Sequence, residues 1–391
     1  MNESKPTPLP TPFPTSPVEA LLTRGLQAYK KGDIHEALGA FDQAIQLNPF
    51  NALIYRYRGT VFADNREYDK ALADFGQTIA LHPQDAVAFH NRGTVYAEQK
   101  QHARAIEDFD QSIEHNPDYA AAYRSRGKSH THLGAYNQAI IDFRRAIQLD
   151  PKHPSGYYNR GIAHFHKGDH ERAIGDFSQT LRLSPQHSYA FGSRACAYMA
   201  IGEDDKALHD FQEALALQPE NIHIYLSRAE LYARCGEYEH SIEDLTTIIS
   251  LRPQLTLAYR NRAGSYARLQ DYAKAIQDYS KAIALDAKDA SSFRERGKAN
   301  NALEQFDNAI ADFTHAIKLA EDDASAYCNR GFTYYQLEQF DNAIADFTQA
   351  IHISPRYLKA YSGRAYAYLD IQQNEHAQRD FDTLAALSEQ D

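Results

Sequence analysis

From Val18 to Asp391 the sequence repeats every 34 residues without an insertion. A period of this length is typical of solenoids, in which each repeat is one supersecondary unit stacked on the next. The chain therefore divides into eleven blocks, numbered in chain order, and a residue's position within its block is called its place. The blocks are residues 18–51, 52–85, 86–119, 120–153, 154–187, 188–221, 222–255, 256–289, 290–323, 324–357 and 358–391.

Proline marks the end of most blocks. Because proline cannot continue a helix, its recurrence at place 32 predicts that a helix ends shortly before it. Blocks eight and nine carry Ala287 and Glu321 there instead, and the sequence leaves open whether residues 287–323 form a hinge. The prolines on the grid are Pro49, Pro83, Pro117, Pro151, Pro185, Pro219, Pro253 and Pro355.

Within a block, small and apolar residues recur in steps of three and four, which places them on one face of a helix. Block two shows the pattern twice, first with Tyr55 and Gly59 and then with Ala71, Phe75 and Ile79. A short polar turn separates the two sets. Each block is therefore predicted to be a pair of antiparallel helices, and the fold class to be all-α. One such pair cannot cover its own apolar face, so neighbouring blocks must stack.

This pattern resembles the tetratricopeptide repeat family, whose repeats have 34 residues and the signature W-x2-L-G-x2-Y, A-x3-F and P. Block ten carries the matching residues Tyr327, Gly331, Tyr334, Ala343, Phe347 and Pro355, with tyrosine in place of tryptophan. The resemblance implies a right-handed superhelical solenoid whose first helices line a concave groove. It also implies a non-catalytic protein that binds peptides or other proteins.

Arginine stands at place 7 in all eleven blocks, where the family often has leucine, and aspartate stands at place 23 in ten of them. Arginine meets a carboxylate through two hydrogen bonds, so we predict that each arginine pairs with an aspartate of its own or the adjacent block. The alternative is an arginine stripe that grips an anionic ligand. The first members of this Arg/Asp ladder are Arg58, Arg92, Arg126 and Arg160, with Asp74, Asp108, Asp142 and Asp176.

The remaining composition excludes several classes of protein. The net charge of -11 argues against general nucleic-acid binding, which usually needs a basic excess. Residues 1–17 are rich in proline and are predicted to be a disordered leader. The three cysteines are widely spaced, and the chain shows neither a secretory signal nor a run of apolar residues long enough for a membrane span, so we expect a cytoplasmic protein. No catalytic motif occurs, so we expect no enzymatic activity, cofactor or metal.

The resemblance also implies which places face the groove, namely the second, fifth, ninth, twelfth and thirteenth. Those places hold ten basic and five acidic residues, so we expect a basic groove that attracts an acidic partner with apolar anchors. Aromatic side chains there have the composition of interface hot spots. The predicted ligand-groove residues are Arg56, Arg124, Lys128, Tyr158, Phe165, His132, His166, Tyr189, Arg234, Arg260, Arg268, Arg294, Lys298 and Tyr335.

Histidines form two H-x-H pairs, at His130 with His132 and at His164 with His166. Residues i and i+2 of a helix point to different faces, so neither pair is expected to chelate a metal. His132 and His166 are interpreted as ordinary polar residues of the groove, and the alternative is that they make the groove sensitive to pH.

The leading functional hypothesis is an interaction scaffold or adaptor that binds a peptide or protein segment in the groove. The second is a structural subunit that self-associates through the ends of the solenoid and forms homo-oligomers. The third, nucleic-acid binding, is disfavoured by the acidic total.

Overall fold

The computed structural model describes residues 16–388, and within them the chain forms 22 α-helices and no strand. The predicted all-α repeat architecture is confirmed, with two helices in every block. The helices form two compact units, one ending at Glu203 and the other beginning at Asp204.

Unit 1 contains α1 to α11, which are Pro17–Lys30, Ile34–Leu47, Ala52–Asp64, Tyr68–Leu81, Ala86–Glu98, His102–His115, Ala120–His132, Tyr136–Leu149, Pro154–Lys167, His170–Leu183 and Ser188–Ala200. Unit 2 contains α12 to α22, which are Asp204–Leu217, Ile222–Cys235, Tyr238–Leu251, Thr256–Arg268, Tyr272–Leu285, Ala290–Ala302, Phe306–Leu319, Ala324–Gln336, Phe340–Ile353, Leu358–Asp370 and Asn374–Ser388. In both units each helix packs against the next one along the chain.

The start of the chain marks where the repeats begin. The leader predicted for residues 1–17 lies outside the described residues, except for Ser16 and Pro17. Ser16 caps α1 by accepting a hydrogen bond from the Glu19 amide, and Pro17 is the first residue of the helix. Proline is favoured at this position because its missing amide hydrogen would have no partner there.

In most blocks the core is an aromatic ring at place 24 that packs on a small residue at place 8. In block four, Phe143 is fully buried, and a Cβ added to Gly127 would lie only 2.7 Å from its Cε1 atom. The two helices of the block approach closely because the glycine has no side chain. This contact explains why place 8 is restricted to glycine or alanine.

The turn inside each block brings place 15 into the left-handed region of φ. Glycine occupies this place in five blocks, for example Gly134 at φ 75°, but six blocks carry a longer residue, for example Lys100 at φ 62°. A left-handed conformation costs a non-glycine residue about 1–2 kcal/mol because its Cβ crowds the backbone.

Replacing Lys100 with glycine is therefore expected to stabilise the chain by about 1 kcal/mol, less what glycine loses in backbone entropy. Urea denaturation followed by circular dichroism measures the change. Replacing Gly134 with lysine is the reverse substitution at the same place, and it is expected to lower the midpoint of urea denaturation. A lower midpoint for Lys100→Gly would contradict the strain that the backbone shows.

Each unit is curved, with its first helices on the inner side. In unit 2, α15 contacts α17, α17 contacts α19 and α19 contacts α21, although an intervening helix separates each pair along the chain. In unit 1 the corresponding contacts join α1, α3, α5, α7, α9 and α11. No comparable contact joins successive second helices in the part of the chain that the structure describes. The first helices therefore form the inner face of each unit.

Candidate functional site

The arginine at place 7 is held by the aspartate at place 23 of the same block. Arg92 donates from Nε to Asp108 Oδ2 at 2.8 Å and from Nη2 to Asp108 Oδ1 at 2.7 Å, and Asp108 is 5% exposed. The Arg92 guanidinium also lies 5.5 Å from the centre of the Phe89 ring at place 4. The same pairing joins Arg58–Asp74, Arg126–Asp142, Arg160–Asp176, Arg228–Asp244, Arg262–Asp278, Arg296–Asp312, Arg330–Asp346 and Arg364–Asp380.

Several of these arginines also reach back to the preceding block. The Nη1 group of Arg58 donates to Asp42 at 2.6 Å, and that of Arg296 donates to the Ser280 hydroxyl at 2.9 Å. In block one, where Ala40 replaces the aspartate, Arg24 pairs with Glu36 instead. The hydrogen bond to the partner carboxylate raises the pKa of Arg58, against the opposing effect of burial. The guanidinium groups are therefore occupied by contacts within and between blocks.

A second set of pairs joins place 5 to place 34 of the same block, and place 34 is not among the places that the sequence pattern assigns to the groove. Arg294 Nη1 donates to Asp323 Oδ2 at 2.5 Å, and Asp323 also caps α19. Arg56 pairs with Asp85 at 2.9 Å, and Arg260 with Asp289 at 3.2 Å. Three of the predicted groove arginines therefore have a carboxylate partner inside the protein.

The chemistry at these two places changes together from block to block. In block three, His90 and Tyr119 meet edge to face with ring centres 5.1 Å apart. In block five, Tyr158 and His187 lie 4.8 Å apart. Block seven has two leucines, Leu226 and Leu255, in one apolar cluster. In these blocks place 34 therefore belongs to the inner face, and the residue there matches the charge or shape of place 5.

Further groove residues have protein partners too. Arg124 lies 3.6 Å from Asp150, Arg234 pairs with Asp204, and Lys298 Nζ donates to Glu295 at 2.9 Å. Lys128 and Arg268 are exposed and have no ion pair among the described residues. The groove is therefore less basic than the count of charged residues in the sequence indicates.

The predicted aromatic residues and histidines of the groove differ in their exposure and in the residues that they contact. Tyr189 is 58% exposed, whereas Phe165 packs in the apolar cluster around Phe177. Tyr335 donates to Asp370 at 2.6 Å. The two histidines at place 13 stack on the second helix of the preceding block, with His132 lying 4.6 Å from His102 and His166 lying 5.7 Å from Tyr136.

An opening on the inner face of unit 2 lies between α13 and α15. It has a volume of about 880 Å³, which is within the range of ligand sites, roughly 300–1,000 Å³. Three predicted groove residues line it together, namely Arg234, Arg260 and Arg268. Asn261 lies between them and is exposed. We call this opening the inner pocket.

Five histidines of unit 1 have their pKa lowered, in each case mainly by burial: His90, His102, His130, His164 and His187. For His90 the charge of Arg124 adds to this effect, while a hydrogen bond to Asn91 opposes it. The ring also contacts the Ser125 hydroxyl at 3.1 Å and the hydroxyl of Tyr119 at 3.5 Å.

The stability of the chain is expected to fall as the pH is lowered below about 6.5. In that range the unfolded chain binds protons at histidine more readily than the folded chain, so protonation favours unfolding. Thermal melts at pH 7.5 and pH 5.5 measure the loss. Replacing both His90 and Tyr119 with leucine, which copies Leu226 and Leu255, is expected to reduce the loss. An unchanged loss in this variant would show that His90 does not contribute.

Within residues 16–388, no three side chains of histidine, cysteine, aspartate or glutamate come together as a metal-binding group. None of the helices described there has the length and apolar character that crossing a membrane requires.

Comparison with known families gives consistent matches to one repeat type. Sequence models of the tetratricopeptide repeat match residues 22–86, 86–119, 127–168, 154–187, 188–221, 222–255, 264–304, 300–338 and 324–357. These matches together span most of the chain. Such repeats generally mediate protein–protein interaction and are generally non-catalytic. No curated protein matches the chain as a whole.

Solved structures with the same architecture share little sequence with this chain. A tetratricopeptide repeat protein from Parabacteroides merdae is 19% identical, with 64% of this chain and 98% of that chain covered and a TM-score of 0.51. YrrB, described as a TPR protein with an unusual peptide-binding site, is 22% identical over 47% of this chain and 95% of its own, with a TM-score of 0.42. Yeast Tom70 is 15% identical over 95% of this chain and 92% of its own, with a TM-score of 0.43. At these identities the likeness concerns the fold alone.

Proposed function

We propose that this chain, which belongs to the tetratricopeptide repeat family, is a non-catalytic scaffold that binds an extended segment of a partner protein on the inner face of unit 2. The inner pocket is the observation that carries this proposal. It is large, it lies on the first helices, and it combines apolar walls with side chains that hydrogen-bond. Such a combination is typical of binding sites.

The segment that fits this face is acidic next to its apolar anchors. Arg268 is exposed and has no carboxylate partner among the described residues, so a carboxylate of the segment meets an unpaired charge there. Arg260 is 37% exposed and holds Asp289 by a single hydrogen bond at 3.2 Å. It therefore has donors left for a second carboxylate. The groove residues of unit 1, such as Lys128 and Tyr189, remain candidates for a further stretch of the segment.

We also propose that the protein is cytoplasmic. Within the described residues, Cys196, Cys235 and Cys328 form no disulfide bond, which suits the reducing conditions of a cytoplasm.

A library of random twelve-residue peptides displayed on phage tests the proposal. Selected peptides are synthesised, and their affinity is measured by fluorescence anisotropy. We expect acidic peptides, and we expect the variant Arg268→Glu with Lys298→Glu to bind them at least tenfold more weakly. The matched control is Lys281→Glu with Lys318→Glu, which changes the net charge equally on exposed residues of second helices α16 and α18.

Two results would overturn the proposal. One is a selection that enriches no peptide above the background of an empty support. The other is equal affinity of the groove variant and the control, with helicity unchanged in both, because the inner face would then not be the binding surface. In that case, light scattering would test the alternative of self-association through the ends.

A further inference from the structure

Four residues around the inner pocket depart from the pattern that the other blocks follow. Leu245 replaces the aromatic ring that all other blocks carry at place 24, and Gly264 is the only residue at place 9 without a side chain. Ser241 replaces the alanine of place 20, and Tyr279 replaces the phenylalanine of place 24. All four line the pocket. The first two remove volume and the last two add hydroxyl groups, so the pocket is a local feature of blocks seven and eight.

The floor of the pocket carries a hydroxyl group without a protein partner. Tyr279 is 3% exposed, and its hydroxyl lies 3.9 Å from the point that a Cβ of Gly264 would occupy. Among the described residues none forms a hydrogen bond with this hydroxyl. The neighbouring serines differ, because Ser241 and Ser265 are hydrogen-bonded to each other at 3.2 Å. An apolar occupant of the pocket would cover this hydroxyl without giving it a partner, which is costly, so an occupant that offers a hydrogen-bonding atom is favoured there.

The charges around the floor of the pocket determine which kind of atom of an occupant is favoured beside the Tyr279 hydroxyl. Burial raises the pKa of Tyr279, and the Glu295 carboxylate raises it further, while Arg260 and Arg294 oppose the shift. The phenol therefore stays protonated at neutral pH and is able to donate. Glu295 also lines the pocket and would repel a carboxylate or phosphate placed beside it. A neutral group that both accepts and donates suits this position better than an anion.

The wall of the pocket favours an aromatic body. The Arg268 guanidinium lies over the Tyr238 ring, 5.5 Å from its centre, and both residues line the pocket. A second ring that enters the pocket can stack on the guanidinium in the same way. Leu245 and Leu257 supply apolar contact around it.

We propose that the inner pocket holds the side chain of a tyrosine from the bound segment, an inference that rests on the function proposed above. The ring packs on Leu245 and stacks on Arg268. The phenol oxygen accepts a hydrogen bond from Tyr279, and the phenol hydrogen is donated to Glu295. Phenylalanine or leucine leaves the Tyr279 hydroxyl unpaired, and glutamate or phosphotyrosine places a negative charge beside Glu295.

The test uses the selected peptides and replaces each of their tyrosines in turn with phenylalanine or phosphotyrosine. At one tyrosine we expect phenylalanine to weaken binding by at least roughly threefold to tenfold, which is the effect of losing one of the two hydrogen bonds. We expect phosphotyrosine at that position to weaken binding further. The protein variant Tyr279→Phe, which carries the residue of most other blocks, is expected to reduce the preference for the tyrosine peptide over the phenylalanine peptide, because only the hydrogen bond to Glu295 remains.

Filling the pocket gives a second, independent measurement. Gly264→Ile introduces the side chain that Ile162 has at the same place in block five, and it is expected to weaken all the selected peptides. The control Thr94→Ile makes the corresponding change in block three, and the affinity is expected to remain the same. Circular dichroism verifies that both variants are folded.

The outcomes separate this inference from the function on which it rests. If peptides are selected without tyrosine, or if Tyr279→Phe retains the full preference for tyrosine over phenylalanine, the tyrosine site is wrong and the scaffold function stands. If phosphotyrosine binds more tightly than tyrosine, the pocket is an anion site and the proposal is overturned. If no peptide is selected, both proposals fail.

Discussion

Replacing Asp108 with alanine is expected to lower the free energy of unfolding by about 3–5 kcal/mol. Asp108 is 5% exposed and accepts two hydrogen bonds from Arg92, whose side chain is 24% exposed. The substitution leaves a half-buried guanidinium without a counter-charge, and that cost exceeds the loss of the hydrogen bonds themselves. The ring of Phe89 beneath Arg92 offers only partial compensation.

The double variant Arg92→Leu with Asp108→Ala is the control for this effect. It removes both charges, so we expect it to recover a large part of the stability that Asp108→Ala loses. Urea denaturation measures the midpoint, and amide hydrogen exchange in α5 and α6 shows the local effect, since a repeat array does not unfold as one unit. A midpoint for Asp108→Ala equal to that of the original chain would show that the ladder does not stabilise the fold.

Replacing Phe143 with alanine is expected to have an effect of similar size, about 3–5 kcal/mol. Phe143 is fully buried and fills the space above Gly127, so its removal leaves a cavity between the two helices of block four. Phe143→Leu is expected to cost less, because block seven already carries Leu245 at this place.

Differential scanning calorimetry of the original chain, Phe143→Ala and Phe143→Leu measures these effects. We expect the stability of Phe143→Leu to lie between the stabilities of the other two. Replacing Phe143 with alanine together with Gly127→Ala adds one methyl group on the facing helix, and we expect it to recover part of the loss. Equal stability of Phe143→Ala and Phe143→Leu would contradict the role of the ring in separating α7 from α8.

The fold was predictable because its determinants lie in each block. Glycine at place 8 and the aromatic ring at place 24 meet within one helical pair, so a period of 34 residues and helical spacing are sufficient to predict the contact. The Arg/Asp ladder was predictable from the sequence for the same reason. Arg92 and Asp108 recur with a fixed separation of 16 residues, and a matched pair of opposite charges at fixed spacing indicates its own partner.

The charge of the groove was harder to predict, because the inner face also includes the last residue of each block. Asp289 and Asp323 follow a turn and look like ordinary helix caps, which they also are. Their pairing with Arg260 and Arg294 depends on how the next helix returns beside place 5. A signal was nevertheless present, because places 5 and 34 change together.

The inner pocket was missed for a different reason. The repeat pattern directs attention to residues that obey it, whereas the pocket is formed by residues that depart from it, such as Leu245, Gly264 and Tyr279. Comparison of each block with the other ten reveals these departures in the sequence. Their effect on volume and hydrogen bonding appears only when the neighbouring blocks are placed side by side.

The most direct test of binding on the inner face of unit 2 locates a bound peptide on the protein. A selected peptide carrying a benzophenone group is cross-linked by light, and the attachment sites are identified by mass spectrometry. We expect sites on the first helices α13, α15 and α17, close to Asn261 and Arg268. Sites on the second helices α14, α16 and α18 would contradict this expectation, because the inner face of unit 2 would then not be the surface that binds.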